Sequence, residues 1–185
     1  CHDSDESADT IITLEPNAAG TNTGWTETNV TNYYCTVTND GDTSFIRTTT
    51  ANQTRTYNLD NISTSVTGTN ISVTVNAVCR GEATGNTMKL ALKSGAQTYY
   101  SPSVTLTTSY QTYSYTWTTD PAGGPWTITA INSIEAGVQS VTVATGQRCT
   151  QIYVTVSAPD LQPDIGTGTK LVWGANLGGA STITV

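Results

Sequence analysis

Residues 71–80 read ISVTVNAVCR, with Ile71, Val73, Val75 and Ala77 on one parity and Ser72, Thr74 and Asn76 on the other. Successive side chains of an extended strand point to opposite faces, so this segment is a strand with one face dry and one wet. Ile152, Val154 and Val156 repeat the pattern near the end of the chain. Such a strand is stable only as part of a sheet packed on a second layer. Composition favours that layer being another sheet, because Thr supplies about a fifth of the chain while Phe and Met occur once each. Thr, Val, Ile and Tyr suit pleated, half-buried positions.

The alternation and turn residues predict strands at 11–14, 33–38, 43–48, 55–59, 71–80, 87–93, 97–101, 104–107, 111–118, 138–144 and 149–157. Residues 16–24 read as a loop, and 39–42 (Asn-Asp-Gly-Asp) as a hairpin turn. Residues 120–125 (Asp-Pro-Ala-Gly-Gly-Pro) read as a second turn, and 129–136 as a helical segment ending at Gly137. Many short strands with almost no helix describe an all-β, two-sheet antiparallel sandwich with β-prone terminal extensions. The expected organisation is an N-terminal arm and first strand at 1–24, a sandwich domain at 25–158, and an extension at 159–185.

Only 11% of residues are charged, against about 25% in ordinary soluble domains, and the formal net charge is −7. The seven Lys and Arg are scattered, which excludes the clustered cations that a phosphate backbone needs. No apolar run approaches the ~20 residues of a membrane-spanning helix. Cys1, Cys35, Cys79 and Cys149 lack the close pairing of zinc ligands. They predict two disulfides and an oxidising, extracellular or surface location, with all three pairings open. Cys1 ahead of a polar stretch also has the form of a lipidated lipoprotein terminus, a reading that excludes its disulfide. Asn29, Asn52, Asn61 and Asn70 each begin an N-x-[ST] sequon and are candidate sites for covalent glycans.

Residues 109–157 contain SYQTYSYTWTTDPAGGPWTITAINSIEAGV, followed by QRCTQIYVTVS. This combination of an aromatic strand, a Pro/Gly turn ending in Trp-Thr, an Ile-x-x-Ile-Glu-x-Gly-Val segment and a closing strand resembles jelly-roll modules of the concanavalin A-like lectin/glucanase superfamily. The resemblance covers roughly residues 24–158 and implies a jelly-roll sandwich. In such a fold the first and last core strands often neighbour each other, which implies Cys35 with Cys149 and Cys1 with Cys79. Alternation, however, puts Cys149 on the outward face unless a bulge intervenes.

The glucanases of that superfamily carry Glu-x-Asp-x-x-Glu on one strand, which is absent here. Glu27, Glu82, Asp120 and Glu135 read as isolated acids, and the single His2 excludes a serine–histidine triad. The expectation is no enzyme and no cofactor. Asp40 and Asp42 are the one calcium candidate, since calcium takes about six to eight oxygen ligands, but the turn lacks a later bidentate Glu. Tyr113, Tyr115 and Trp117 share one face of their strand and read as core. Tyr99, Tyr100 and Trp126 are candidates for stacking against a ligand.

With no catalytic set and β-prone ends, the sequence points to an extracellular structural subunit that self-associates into a filament or other homopolymer. Lys170, Leu171, Val172, Trp173, Thr182, Ile183 and Val185, or the arm at 11–14, are expected to complete a sheet in a neighbouring copy. The alternatives are a lectin-like carbohydrate-binding module and a viral decoration or fibre protein.

Overall fold

The alternating segment forms β7 (Ser72–Gly81), inside one sheet of the computed structural model, which describes residues 10–30, 40–63, 66–67, 70–158 and 162–163. Its inward residues Val73, Val75, Ala77 and Cys79 are fully buried. β13 (Gln147–Ala158) pairs antiparallel with it and sets Val156 opposite Val73 and Val154 opposite Val75. On either side stand β11 (Gln111–Trp117) and β4 (Phe45–Thr48), with β3 (Thr26–Thr28) beyond β4. β1 (Thr10–Leu14) also pairs with β13.

The second sheet runs β10 (Val104–Thr105), β8 (Thr87–Ser94), β12 (Glu135–Thr142), β5 (Thr54–Leu59) and β2 (Pro16–Thr23), with β9 (Gln97–Tyr100) also on β8. A two-residue pairing joins β6 (Val66–Thr67) and β14 (Gln162–Pro163). α1 (Ile128–Ile131) is the one helix among the described residues, and the Thr127 hydroxyl caps it by accepting from the Ala130 amide at 3.1 Å. The fold is the expected all-β jelly-roll sandwich.

Between the sheets, Val73, Val75, Ile152, Val154 and Val156 meet Tyr57, Leu90, Leu92, Ala136 and Val138 in one core. Each such side chain contributes roughly 1.5–3 kcal/mol on burial. Trp25 is buried with its indole N–H donating to the Gln53 carbonyl at 2.9 Å. Arg55, inward on β5, crosses the gap to pair with Glu27 of β3, and its guanidinium lies 4.9 Å from the Tyr57 ring centroid. That ion pair ties the two sheets together at one edge.

Four expectations are corrected. Residues 16–23 form a strand, not a loop, because their backbone hydrogen-bonds along β5 through bulges that the Asn, Ala and Gly residues permit. The helix stops at Ile131 instead of running to 136, and Glu135 already belongs to β12. Residues 11–14 complete their own sheet beside β13 rather than a neighbour's. Cys149 is inward and buried, since a register shift between Cys149 and Gln151 resets the parity. Residues 33–38, Cys1 and Cys35 lie outside the described residues, as do Lys170, Leu171, Val172, Trp173, Thr182, Ile183 and Val185.

Candidate functional site

Antiparallel register places residues of neighbouring strands in rows, and three rows form the middle of the second sheet's outward face. The central row is Tyr100 of β9, Ala91 of β8, Gly137 of β12 and Thr56 of β5. On one side lies Lys89–Gln139–Thr54, and on the other Thr98–Lys93–Glu135–Asn58. The alternate residues Leu90, Leu92, Ala136, Val138 and Tyr57 are buried in the core, which fixes these rows as outward.

Tyr100 does not stand up from this face. Its hydroxyl lies 3.1 Å from Thr54 Oγ1, so the side chain reaches across β8 and β12 to β5 and leans towards the Lys89–Gln139–Thr54 row. Beneath it Ala91 is fully buried and Gly137 is buried, although both face outward. A methyl group and a bare backbone leave room for a ring to lie down over them. Tyr100 itself remains 38% exposed. The result is an aromatic platform with a small-residue floor, pinned at its far end by a hydrogen bond.

The flank beyond the central row is built by a bulge of β2. Between Ala19 and Thr23 the strand takes extra residues against β5 and folds over the sheet. Glu135 lies under this bulge, 3% exposed. Its Oε2 accepts from Thr56 Oγ1 at 2.6 Å, Thr21 N at 2.8 Å and Thr21 Oγ1 at 3.0 Å, and its Oε1 accepts from Lys93 Nζ at 3.1 Å. Burial alone would raise this carboxyl's pKa, but the hydrogen bonds from Thr56, Thr21 and Lys93 outweigh it and hold the pKa below its ordinary value. Asn22 projects from the same bulge, with its side-chain amide 3.4 Å from both Thr56 Oγ1 and Thr98 Oγ1. The platform therefore has a polar rim on both sides.

The other candidates occupy different places. Trp126 is 5% exposed and donates its indole N–H to the Trp117 carbonyl at 2.9 Å, so it is a corner of the fold and not a stacking surface. Tyr99, opposite Leu92, is half-buried. Tyr113, Tyr115 and Trp117 share the inward side of β11, as alternation predicts, but β11 is an edge strand and Tyr115 stays 36% exposed. Its ring meets Trp117 edge-on at 4.6 Å. Asn29, Asn52, Asn61 and Asn70 are all exposed, and the Asn29 amide donates to the Thr43 carbonyl at 3.1 Å.

The calcium candidates are engaged elsewhere. Asp40 accepts from Ser44 N, Ser44 Oγ and Thr150 Oγ1. Asp42 is bound by Arg80, Arg148 and the Tyr110 hydroxyl. Arg47, Arg148 and Arg80 stand in one row across the first sheet, bridged by Asp42 and Glu82. The Arg47 hydrogen bond, with Arg148 beside it, holds the Glu82 pKa down to about 2. An open groove of about 330 Å³ beside Arg47 is lined by Thr26, Thr28 and Thr50, with no aromatic ring among the described residues that line it. This cluster locks strands together.

Cys79 and Cys149 are directly opposite on β7 and β13, both fully buried and both free thiols. Cys35, the partner that the resemblance implies for Cys149, lies outside the described residues, and the neighbour of Cys149 among those described is Cys79. Directly opposed Cα atoms of antiparallel strands lie about 4.5–5.5 Å apart, inside the span a disulfide bridges. Folding with oxidised glutathione is expected to join the two Sγ atoms. Both S–H bonds break, and two reduced glutathione molecules carry away the electrons and protons. Proteolysis of alkylated, unreduced protein should yield one peptide containing both residues. Linkage of either cysteine to Cys1 or Cys35 would contradict this.

No protein-family model matches the chain, and no curated protein matches it. Among solved structures it is similar to the C-terminal family 6 carbohydrate-binding module of a marine laminarinase from Zobellia galactanivorans. That match has 9% identity and a TM-score of 0.45, over 80% of this chain and 99% of that one. It is also similar to a family 6 module of Cellvibrio mixtus lichenase 5A in complex with cellotriose, at 12% identity and TM-score 0.44, over 78% and 95% of the two chains. A family 35 module from Cellvibrio japonicus aligns at 16% identity and TM-score 0.44, over 83% and 97%. The expectation of a filament or assembly subunit is corrected by this result, because the structures similar in fold are carbohydrate-binding modules.

Proposed function

We propose that the chain is a non-catalytic, extracellular glycan-binding module, lectin-like in its jelly roll, which holds a sugar ring against Tyr100. The observation that carries this reading is the Tyr100 side chain, 38% exposed and hydrogen-bonded to Thr54 from a row that continues through Ala91 and Gly137. A pyranose presents an apolar face of C–H groups, and the negative face of an aromatic ring attracts them. Hydroxyls at the sugar's edge need polar partners, which Asn22, Thr98 and Gln139 supply around the platform. A non-catalytic role is supported by the carboxylate in the face itself, since Glu135 is buried and bound by Lys93. Exposed Asn52, Asn61 and Asn70 are acceptors for covalent glycans in a host that modifies exported proteins.

Titration of the purified chain with glycans retained on an array tests the reading. Tyr100→Ala should weaken binding by roughly tenfold or more, the scale of losing a central aromatic anchor. Tyr100→Phe keeps the ring and should keep most of the affinity, and Tyr115→Ala, on the other sheet, should leave it unchanged. Failure of the array to retain any glycan, or binding indifferent to Tyr100→Ala, would sink the proposal.

A further inference from the structure

The row beside the platform contains the one Lys or Arg among the described residues with no hydrogen bond or ion pair. Arg47, Arg55, Arg80, Lys93 and Arg148 each hold a carboxylate at salt-bridge distance. Lys89 holds none. In a chain of formal charge −7, acidic side chains outnumber basic ones two to one, and every other described cation has taken one.

Lys89 precedes Ala91 by two residues on β8, so it shares the outward face about 7 Å along the strand from the platform floor. Gln139 is its cross-strand partner on β12, and Thr54 is the next residue of that row. The Tyr100 hydroxyl bonds to that same Thr54, which brings the ring towards the Lys89 row. On the opposite side Lys93 is neutralised by Glu135. The platform is therefore asymmetric, with one flank neutral and the other carrying a single unopposed positive charge.

From this juxtaposition we infer that the module selects an acidic sugar, a pyranose bearing an equatorial carboxylate or sulfate whose anion meets Lys89 while its ring lies on Tyr100. The inference rests on the stacking reading above and adds the ligand's chemical class. An equatorial substituent projects from the ring's edge, roughly in the plane of the stacked sugar, where an ammonium beside the platform meets it without disturbing the stack. Gln139 is placed to donate a hydrogen bond to the same anion or to an adjacent hydroxyl. A lysine is a point charge that accepts planar and tetrahedral anions alike, so carboxylate and sulfate share this recognition.

The test presents the full chain with neutral glycans beside their uronic-acid and sulfate-bearing counterparts, and then titrates the wild type, Lys89→Gln and Tyr100→Ala. Acidic members should be preferred, with the two acidic arms showing which anion fits. Lys89→Gln should weaken binding of the preferred acidic glycan by roughly tenfold or more, the scale of a hydrogen bond to a charged group. The same variant should leave neutral counterparts unaffected, and added salt should reproduce its effect on the wild type. Equal binding of neutral and acidic glycans, or indifference to Lys89→Gln, would overturn the charge selection while leaving the stacking site standing. Indifference to Tyr100→Ala would overturn both.

Discussion

Glu135→Ala should destabilise the protein by about 3–5 kcal/mol, the range for removing one partner of a buried, hydrogen-bonded charge pair. The carboxylate is 3% exposed and is the acceptor around which the β2 bulge is organised. Its loss strands Lys93 on the sheet, frees the Thr56 hydroxyl, and leaves the Thr21 amide without its acceptor. Gly20 shows how closely the bulge is fitted, since a Cβ there would lie 2.5 Å from Glu135 Oε2 and 2.6 Å from the Thr56 carbonyl. For a domain of this size the midpoint of thermal unfolding should fall by roughly 10 °C. The wild type carries a matching acid signature. The folded-state pKa of Glu135 is lowered, so its contribution is fully present above the usual carboxylate range and is lost as pH falls through the lowered value. Glu135→Gln should lose stability at neutral pH and show a flatter acid limb. Calorimetry of the three proteins across acidic pH checks this, and a neutral-pH loss under about 1 kcal/mol for Glu135→Ala would show that the bulge stands without the carboxylate.

The sequence made β7 legible because a strand buried on one face writes its environment in every second residue, and β13 is legible for the same reason. Parity alone turns Cys149 outward, and the bulge at Thr150 that turns it inward, the exception the alternation allows, leaves no mark in residue type. β2 was hidden differently. PNAAGTNT has the composition of a loop because much of this edge strand serves as a lid, where backbone amides and small residues matter more than alternating apolar ones. Tyr100 could be named as an exposed aromatic from its local context. Its floor could not, because Ala91 and Gly137 meet under the ring only through pairings between strands distant in sequence. The unpaired state of Lys89 was equally invisible, since it depends on where five other cations found their carboxylates.

Gly137→Ala joins the stability of the sheet to the proposed site in one substitution. A Cβ at this position would fall on the Arg55 carbonyl oxygen, 2.8 Å from the Arg55 carbonyl carbon and 2.9 Å from Thr56 Cα. All three are backbone atoms of β5, so no side-chain rotation relieves the overlap. Relief requires β5 to move away from β12, breaking the register of Gly137 with Thr56. Because Arg55 also holds Glu27 of the other sheet, that movement strains the edge contact as well. The expected loss is about 3 kcal/mol, at the upper end of ordinary overpacking, with a lower unfolding midpoint and faster amide exchange in residues 54–58. The second consequence follows from the ring above. Gly137 is floor for Tyr100, and displacing β5 moves Thr54, which pins the ring's hydroxyl. Glycan affinity should therefore fall in Gly137→Ala together with stability, whereas Tyr100→Ala should lower affinity with a midpoint shift of only a few degrees. If Gly137→Ala folds with an unchanged midpoint, the close approach of β5 is wrong. If it is destabilised yet binds glycan as the wild type does, the platform does not depend on this floor.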